Sequence, residues 1–245
     1  MLNQIYSEFR KLVSLRSTYV MMGLGLVMAG LVGLWGIGYK TGAGFGPDGM
    51  EDAILQIVQV MSTFVGLIAI LMICNEYRFN TIYYTLTASN NRMKVVGAKI
   101  VVASVFALFF ALIAIAWTVL MVTLGIKFGG HTMVPQEIHA FDVLWKSVAF
   151  MVSTAWFCML LGFLTRNLTF SIVTFFMLPV VETLATMLLK INGNYLPNTA
   201  QDQIMALGGS VPGVFSPLAS LGVFAVYVTV MFIASSVLFV KRDAN

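Results

Sequence analysis

The chain has 245 residues, of which 59% are hydrophobic and only 10% are charged, and its mean hydropathy is +0.92. A soluble globular domain carries about 25% charged residues, so this composition excludes a soluble protein and predicts an integral membrane protein of the all-α class. The net charge of +4 is explained by Lys and Arg in the loops and does not require nucleic-acid binding. Cys74 and Cys158 fall at or inside apolar stretches, which predicts packing residues and no disulfide framework.

The first element, residues 1–18, is a predicted amphipathic helix. Its apolar residues recur at the i, i+3, i+4 and i+7 spacing of one helical face: Leu2, Ile5, Tyr6, Phe9, Leu12 and Val13. Polar residues fill the other face, as is typical of a helix that lies along the surface of membrane lipids. This elbow helix either only positions the first span or also contacts a cytoplasmic partner. No cleavable signal peptide is expected, because the first 19 residues lack an apolar core.

Six stretches are long enough to cross a hydrocarbon core, which takes about 20 residues. They lie at 19–39, 53–75, 95–125, 143–165, 168–189 and 218–240. The third is longer than one crossing needs, so we expect it to be tilted or to extend beyond the bilayer. The loops are short, and we therefore expect residues 1–245 to form a single transmembrane domain.

The distribution of Lys and Arg predicts the orientation in the membrane. With the N-terminus inside the cell, ten of the 14 basic residues fall on the inner side. The outer side then holds only Lys40, Lys127, Lys146 and Lys190. This bias predicts a multi-pass protein of the plasma membrane with both termini in the cytoplasm.

Small residues mark span one and the loop after it. Gly25, Ala29 and Gly33 have the small-xxx-small spacing of a helix-packing face, which would serve either a subunit interface or the fold itself. The Gly-rich residues 33–49 include a formal GxGxxG at 44–49. Because no strand precedes it and the orientation places it outside the cell, we predict a flexible outer loop and no phosphate-binding loop. ATP hydrolysis would have to come from another polypeptide.

The segment between spans two and three is unusually polar for this chain. Residues 73–99 hold five charged residues: Glu76, Arg78, Arg92, Lys94 and Lys99. One apolar stripe within it is formed by Phe79, Ile82, Tyr83 and Leu86. The stripe predicts a short amphipathic helix over 79–87 in a cytoplasmic loop, followed by a turn at 88–91. The positive-inside rule explains the three later basic residues but not Glu76 and Arg78 at the membrane border.

This segment resembles the loop between spans two and three of type-2 ABC exporter permeases. The resemblance is carried by Glu76-Tyr77-Arg78-x-Asn80-Thr81-Ile82, Leu86, Ser89-x-x-Arg92 and Lys99. The usual run in that family is acidic-x-Arg-x-Gly-Thr, then a Pro-x-x-Arg turn, then a Lys that opens span three. This chain has Asn80 in place of the Gly and Ser89 in place of the Pro, and both replacements suit a turn or a helix start.

The resemblance implies a half-transporter that is not itself an enzyme and binds no cofactor. Two permeases, identical or paralogous, would pair in the membrane above two cytoplasmic ABC ATPase subunits that bind ATP and Mg. The loop 76–92 would contain a coupling helix that rests on the ATPase. The residues expected to couple are Glu76, Arg78, Thr81, Tyr83, Leu86 and Arg92. The expected activity is ATP-driven export of a hydrophobic or amphipathic drug, peptide or lipid.

The outer loop before span four groups four residues that ligate metals in other proteins: His131, Glu137, His139 and Asp142. Eight residues separate the two His and nothing in the sequence fixes their geometry. We therefore expect the solvated start of a helix and no metal site. The Ser/His or paired-Asp arrangement of an intramembrane protease is not seen within the predicted spans.

Span five contains Glu182, three residues after Pro179. A carboxylate at mid-bilayer costs about 2.5–3.5 kcal/mol on insertion scales, so it needs a reason to be there. One interpretation is that Glu182 and the nearby Pro179 belong to a substrate pathway. The other is a carboxyl near the outer interface that is partly wetted or paired with a neighbouring helix. Residues 190–217, which follow this span, are too apolar for a free loop. In the resembled family this region forms re-entrant helices that cap the pathway from outside.

Two alternatives use the same membrane architecture without ATP. A secondary transporter or channel would show inverted repeats and several buried ionisable residues, of which only Glu182 is evident. A membrane scaffold or immunity protein that captures a toxic peptide is the second alternative.

Overall fold

The computed structural model describes residues 2–40, 46, 48–82, 92–131, 136, 138–189, 192–205 and 214–241. Across these ranges all regular structure is helical, which confirms the all-α prediction. The described residues form eight α-helices: α1 (Leu2–Ser14), α2 (Arg16–Leu31), α3 (Gly49–Arg78), α4 (Arg92–Phe128), α5 (Ala140–Thr165), α6 (Leu168–Leu189), α7 (Pro197–Ile204) and α8 (Pro217–Lys241). A π-helical segment, Val32–Tyr39, continues α2, and one 3₁₀ turn, Gly193–Tyr195, precedes α7.

Six of the described helical stretches are long and apolar enough to cross a membrane, as the hydropathy pattern predicts. They are Arg16–Tyr39, Gly49–Arg78, Lys94–Phe128, Ala140–Thr165, Leu168–Leu189 and Pro217–Leu238. The chain is therefore a multi-pass membrane protein. At 1.5 Å per residue, the 37 residues of α4 extend over about 55 Å, well beyond the roughly 30 Å of a hydrocarbon core.

The centre of the bundle is formed by α3 and α5. In each of them 67% of the most apolar stretch is buried inside the chain, against 6% in α6 and 11% in α8. Apolar side chains of α6 and α8 therefore face outward, where lipid or another chain can cover them. Cys74 on α3 and Cys158 on α5 are both buried and unpaired.

The small residues of span one pack within the fold. A Cβ placed on Gly25 would lie 3.1 Å from Phe64, and one on Gly33 would lie 2.9 Å from Ile57. Both neighbours belong to α3, and Ala29 between the two glycines is fully buried. Of the two roles that the spacing allowed, the structure thus shows the packing of α2 against α3.

A second close approach joins the π-helical segment to α4. A Cβ on Gly125 would lie only 2.2 Å from the carbonyl oxygen of Leu34, and one on Gly38 would lie 2.7 Å from the carbonyl oxygen of Val122. Glycine at both positions lets the two backbones meet directly. Further along the same contact, the indole N–H of Trp117 donates to the carbonyl of Leu26 at 2.9 Å.

Candidate functional site

The end of α3 is a turn closed by backbone hydrogen bonds. The N–H of Asn80 donates to the carbonyl of Tyr77 at 3.3 Å, and the N–H of Thr81 donates to the carbonyl of Glu76 at 3.0 Å. These two bonds define a Schellman motif, which satisfies the last carbonyls of a helix. Asn80 has a φ of 53°, a left-handed conformation that Gly adopts most easily and Asn next. Asn80 therefore makes the turn for which the resembled family uses Gly.

Four charged side chains lie beside this turn and join three helices; we call them the charge cluster. Glu8 and Lys11 come from α1, Glu76 from α3 and Lys99 from α4. The Nζ of Lys99 lies 2.5 Å from Oε2 of Glu8 and 2.9 Å from Oε1 of Glu76. The Nζ of Lys11 lies 2.7 Å from Oε1 of Glu8 and 2.9 Å from Oε1 of Glu76. Each ammonium group thus contacts both carboxylates, and the formal charges of the cluster cancel.

Three of the four residues in the charge cluster are almost fully removed from water. Lys99 is 1% exposed, Glu8 2% and Glu76 7%, whereas the side chain of Lys11 is 44% exposed at the rim. Burying a charge is costly unless it is paired and hydrogen-bonded. Each buried member therefore depends on the others, and the loss of one partner leaves a buried charge uncompensated.

The pKa values of the two α1 residues reflect this pairing. Burial by itself raises the pKa of Glu8, but the charge of Lys99 and hydrogen bonds from both lysines outweigh it, so the pKa lies below the ordinary 4.5. Burial by itself lowers the pKa of Lys11, but its hydrogen bond to Glu8 and the charge of Glu76 raise it above the ordinary 10.5. Both shifts favour the charged forms that hold α1 against α3 and α4.

An exposed patch and a cavity adjoin the charge cluster. The four residues 78–81 are exposed, and the guanidinium of Arg78 lies over the ring of Phe79 at 5.4 Å from its centroid. Between α1 and the end of α3 there is a cavity of about 310 Å³, lined by Leu12, Leu15, Met72, Asn75, Phe79, Thr81 and members of the cluster. The surface that leads into the loop is thus partly apolar, supported from behind by buried charges.

The predicted coupling residues are distributed unevenly over these features. Glu76 belongs to the charge cluster, Thr81 closes the turn, and Arg78 lies on the exposed patch. Tyr83 and Leu86 lie outside the described residues, as does most of the coupling helix expected over 79–87, of which 79–81 form the turn. Arg92 begins α4, and its side chain is outside the description.

Glu8 and Lys11 are functional candidates that the sequence reasoning missed. A detectable signal was present, because Lys99 follows the start of an apolar span and needs a negative partner. Glu8 offers one on the polar face of the first helix. Spacing alone did not identify this partner, since the two residues are 91 positions apart.

At the opposite end of the bundle, Glu182 caps the short helix α7. Its carboxylate accepts from the backbone N–H of Asn198 at 2.8 Å and of Thr199 at 3.0 Å, and Glu182 is 5% exposed. These are donors of the first turn of α7, whose own N-cap residue, Leu196, supplies no side-chain acceptor. A negative charge at a helix N-terminus is also favoured by the helix dipole. The structure therefore pairs Glu182 with a neighbouring helix.

Side chains of α7 also contact three spans other than that of Glu182. Asp202 accepts from the amide of Gln59 on α3 at 2.9 Å, and the amide of Gln201 donates to Thr154 on α5. The carbonyl of Gln203 accepts from the hydroxyl of Ser220 on α8 at 3.0 Å. This helix is thus joined by hydrogen bonds to α3, α5, α6 and α8.

A polar cavity of about 270 Å³ lies beside α7; we call it the α7 cavity. Pro179 of α6, predicted as a pathway residue, is part of its wall. Polar residues from α3, α5 and α7 line it: Gln59, Ser62, Thr63, Thr154, Asn198, Gln201 and Asp202. The remaining wall is aromatic: Phe150, Phe175 and Phe176.

The residues weighed as metal ligands have separate partners. The ring of His131 contacts the carbonyl of Tyr39 at 3.3 Å, and Nδ1 of His139 lies 3.3 Å from Glu51. Asp142 pairs with Lys146 at 2.5 Å. Glu137 lies outside the described residues, and no group of three or more His, Cys, Asp or Glu in the described part of the chain is arranged to hold a metal ion.

Comparison with known proteins identifies one family. A family model described as "ABC-2 family transporter protein" matches residues 4–182, from α1 into α6, which is well over half of the chain. The matched region includes the whole charge cluster, the loop that follows α3, and Glu182 at its end. No curated protein matches the chain.

Proposed function

The chain belongs to the ABC-2 family of transporter proteins, and we propose that it is the permease subunit of an ATP-driven exporter. In this proposal residues 1–245 form one permease domain, which pairs with a second copy or a paralogue. Two separate cytoplasmic ABC ATPase subunits bind ATP and Mg and drive transport. The cargo is a hydrophobic or amphipathic drug, peptide or lipid. The chain itself supplies the membrane pathway and no catalytic group.

The charge cluster is the observation that carries the proposal. It joins α1 to the end of α3 and the beginning of α4, the two helices that the loop expected at residues 83–91 connects in sequence. A force applied to that loop would therefore move three helices as one body instead of bending a single span. This is the mechanical property that a transmission site needs if ATPase closure is to reshape the pathway.

The orientation assigned to the protein follows from its basic residues. The end of the bundle that carries α1 and the charge cluster is placed in the cytoplasm, and both termini lie on that side. In this orientation α1 is the elbow helix at the membrane surface, with its exposed apolar residues, among them Leu2, Tyr6 and Phe9, turned toward lipid. Its contacts with Glu76 and Lys99 then serve transmission as well as anchoring.

The segment 190–217 closes the pathway at the outer end in this proposal. The hydrogen bonds of α7 to four spans support this role, because a displacement of any of these spans would strain the contacts of α7. The contact through Glu182 holds the backbone of α7 itself, because its carboxylate accepts from two N–H groups of the first turn. Pro179 and the α7 cavity lie directly beneath this helix.

The proposal is tested by purifying the tagged chain from native membranes in mild detergent and identifying every protein that accompanies it. Three variants are compared with the wild type: Glu76→Gln in the charge cluster, Leu86→Asp in the loop, and Glu51→Gln as the control. Glu51 lies on the same helix as Glu76 and is similarly buried, at 5% exposed, but belongs to the opposite end. Each variant must elute as a monodisperse peak before its partners are compared.

We expect an ABC ATPase subunit to accompany the wild type and Glu51→Gln in equal yield. Leu86→Asp should lose the ATPase, since a charge replaces an apolar side chain. Glu76→Gln should recover less of the ATPase than the wild type does. A well-folded wild-type protein that brings no ATPase would overturn the proposal and favour an ATP-independent transporter or scaffold. Equal recovery of the ATPase with all three variants would instead show that the charge cluster and the loop do not form the docking surface.

A further inference from the structure

The α7 cavity places polar groups at a depth where lipid would normally be found. Gln59 lies about 7 Å along the helix axis from the midpoint of α3, well within the roughly 15 Å half-thickness of a bilayer centred on that helix. Gln59 and its partner Asp202 are nevertheless exposed rather than packed away. Exposed polar groups at this depth are stable only when they face a water-filled space or a polar ligand.

Asp202 gives this cavity a carboxylate that no cation among the described residues balances. Its carboxylate accepts from the amide of Gln59 at 2.9 Å and from the side-chain amide of Asn198 at 3.3 Å, and both donors are neutral. Across the described residues, neither Asp202 nor Glu182 takes part in an ion pair.

The opposite wall of the cavity is suited to an apolar body. Phe150, Phe175 and Phe176 line it together with Pro179, and the rings of Phe175 and Phe176 meet edge to face with centroids 5.3 Å apart. Aromatic faces attract cations as well as apolar groups. The cavity thus combines one carboxylate, several neutral donors and acceptors, and a cluster of phenyl rings.

We propose that the α7 cavity binds a lipophilic organic cation as cargo, with Asp202 as its counter-ion and the phenyl rings around its apolar body. This inference rests on the proposed function, since a cargo site presupposes a transporter, and it narrows the cargo to positively charged compounds. A bound cation competes with Gln59 and Asn198 for the same carboxylate. Binding would therefore loosen the contact of α7 with α3.

The test is equilibrium binding of radiolabelled tetraphenylphosphonium to the purified full-length chain in detergent, without ATP or ATPase. Tetraphenylborate, which has nearly the same shape and the opposite charge, is measured in separate samples because the two ions pair in solution, and its binding reports on charge. Asp202→Asn removes the charge, Asp202→Glu retains it, and Asp52→Asn is the matched control. Asp52 is an exposed carboxylate near the start of α3 and is not part of the α7 cavity.

We expect Asp202→Asn to weaken tetraphenylphosphonium binding by about tenfold or more, as the loss of one close charge pair predicts. Asp52→Asn should bind like the wild type, and Asp202→Glu should bind within a few-fold of it. Gln59→Leu keeps the carboxylate and removes a competing donor, so its binding should be unchanged or tighter. Tetraphenylborate, measured by itself, should bind much more weakly than tetraphenylphosphonium.

The inference is overturned if Asp202→Asn binds the cation as the wild type does, or if tetraphenylborate by itself binds to the wild type equally well. A loss of binding in Asp52→Asn equal to that in Asp202→Asn would also overturn it, because the effect would then be one of general surface charge. The assay is independent of the proposed ATPase partner. Co-purification of an ATPase without cation binding rejects the cargo site alone, and cation binding without an ATPase rejects the proposed function alone.

Discussion

The ammonium of Lys99 lies 2.5 Å from the carboxylate of Glu8, although the two residues are 91 positions apart and belong to different helices. Lys99 is among the largest fully buried side chains of the described residues, in a chain of which only 10% of the residues are charged. Its burial is possible because two carboxylates, those of Glu8 and Glu76, surround one end of it. The contact fixes the N-terminal helix to the start of α4 and the end of α3.

Replacing Lys99 should therefore destabilise the protein strongly. Lys99→Met leaves two buried carboxylates with only the half-exposed Lys11, and breaking a buried pair in this way costs about 3–5 kcal/mol. Unfolding can be followed on heating with a thiol-reactive fluorescent dye, because Cys74 and Cys158 are the only cysteines and both are buried. The dye should react at a clearly lower temperature in this variant.

The control for this measurement is Lys94→Met, since Lys94 lies on the same helix and is exposed. Its unfolding temperature should stay close to that of the wild type. The double variant Lys99→Met with Glu8→Gln removes one charge of each sign and should recover part of the loss. An unfolding temperature for Lys99→Met equal to that of Lys94→Met would contradict the assigned role of the charge cluster.

The docking of α1 should depend on pH, with a broad maximum around neutrality. The pKa of Glu8 is lowered, so its contribution is fully present above the ordinary value of 4.5 and is lost as the pH falls through the lowered pKa. The pKa of Lys11 is raised, so its contribution is present below 10.5 and is lost as the pH rises through the raised pKa. A spin label at Ser7→Cys, an exposed position of α1, should become mobile only below about pH 4.5 or above about pH 10.5.

The same label in a Glu8→Gln background provides the control. Gln cannot take up a proton at position 8 as the pH falls, so the acidic transition assigned to Glu8 should disappear. Mobility that changes smoothly across pH 6 to 8 would contradict the assignment, because neither shifted group titrates there.

The membrane spans could be predicted from the sequence because hydropathy acts locally: each span must carry its own run of about 20 apolar residues. The turn after α3 was only partly predictable: Asn80 is one of few residues that tolerate a positive φ, but the apolar stripe predicted a helix beginning at residue 79. The sequence signalled that Lys99 needs a negative partner, but it did not identify the particular partners of Glu76 and Lys99. They depend on which face of α1 meets the bundle, and that is decided by packing between segments far apart in sequence. For the same reason the sequence left Glu182 between two interpretations, because the helix that it caps begins fifteen residues later.

The close approach of α4 to the π-helical segment predicts opposite effects for two Gly→Ala substitutions. Gly125→Ala places a methyl group 2.2 Å from the carbonyl oxygen of Leu34, so the two helices must separate. We expect a loss of about 1–3 kcal/mol, the usual range for overpacking. Gly222→Ala meets nothing within 4 Å and should be neutral or stabilising by up to about 1 kcal/mol, since Ala favours helix more than Gly. The thiol-dye assay compares both, and equal unfolding temperatures would contradict the predicted contact.

The final prediction concerns Glu182 and separates its two interpretations. Glu182→Gln keeps the shape of the side chain but removes the charge that caps α7, so the seating of this helix should weaken by about 1–2 kcal/mol. Amide hydrogen exchange across residues 197–204 should then be about 5- to 30-fold faster than in the wild type. Glu51→Gln is the control, because Glu51 accepts from the N–H of His139 at the start of α5 and does not contact α7. It should leave exchange in α7 unchanged.

The same variant in a transport assay completes the argument about Glu182. If the carboxylate acts only as a cap, cation efflux should fall in proportion to the loosening of α7. Thr199→Pro should then reproduce both effects, because it removes the N–H that donates to Glu182 at 3.0 Å. Efflux that is abolished while exchange in α7 stays at the wild-type rate would contradict the capping role. It would show instead that the carboxylate contacts the cargo directly, as the pathway interpretation of Pro179 and Glu182 requires.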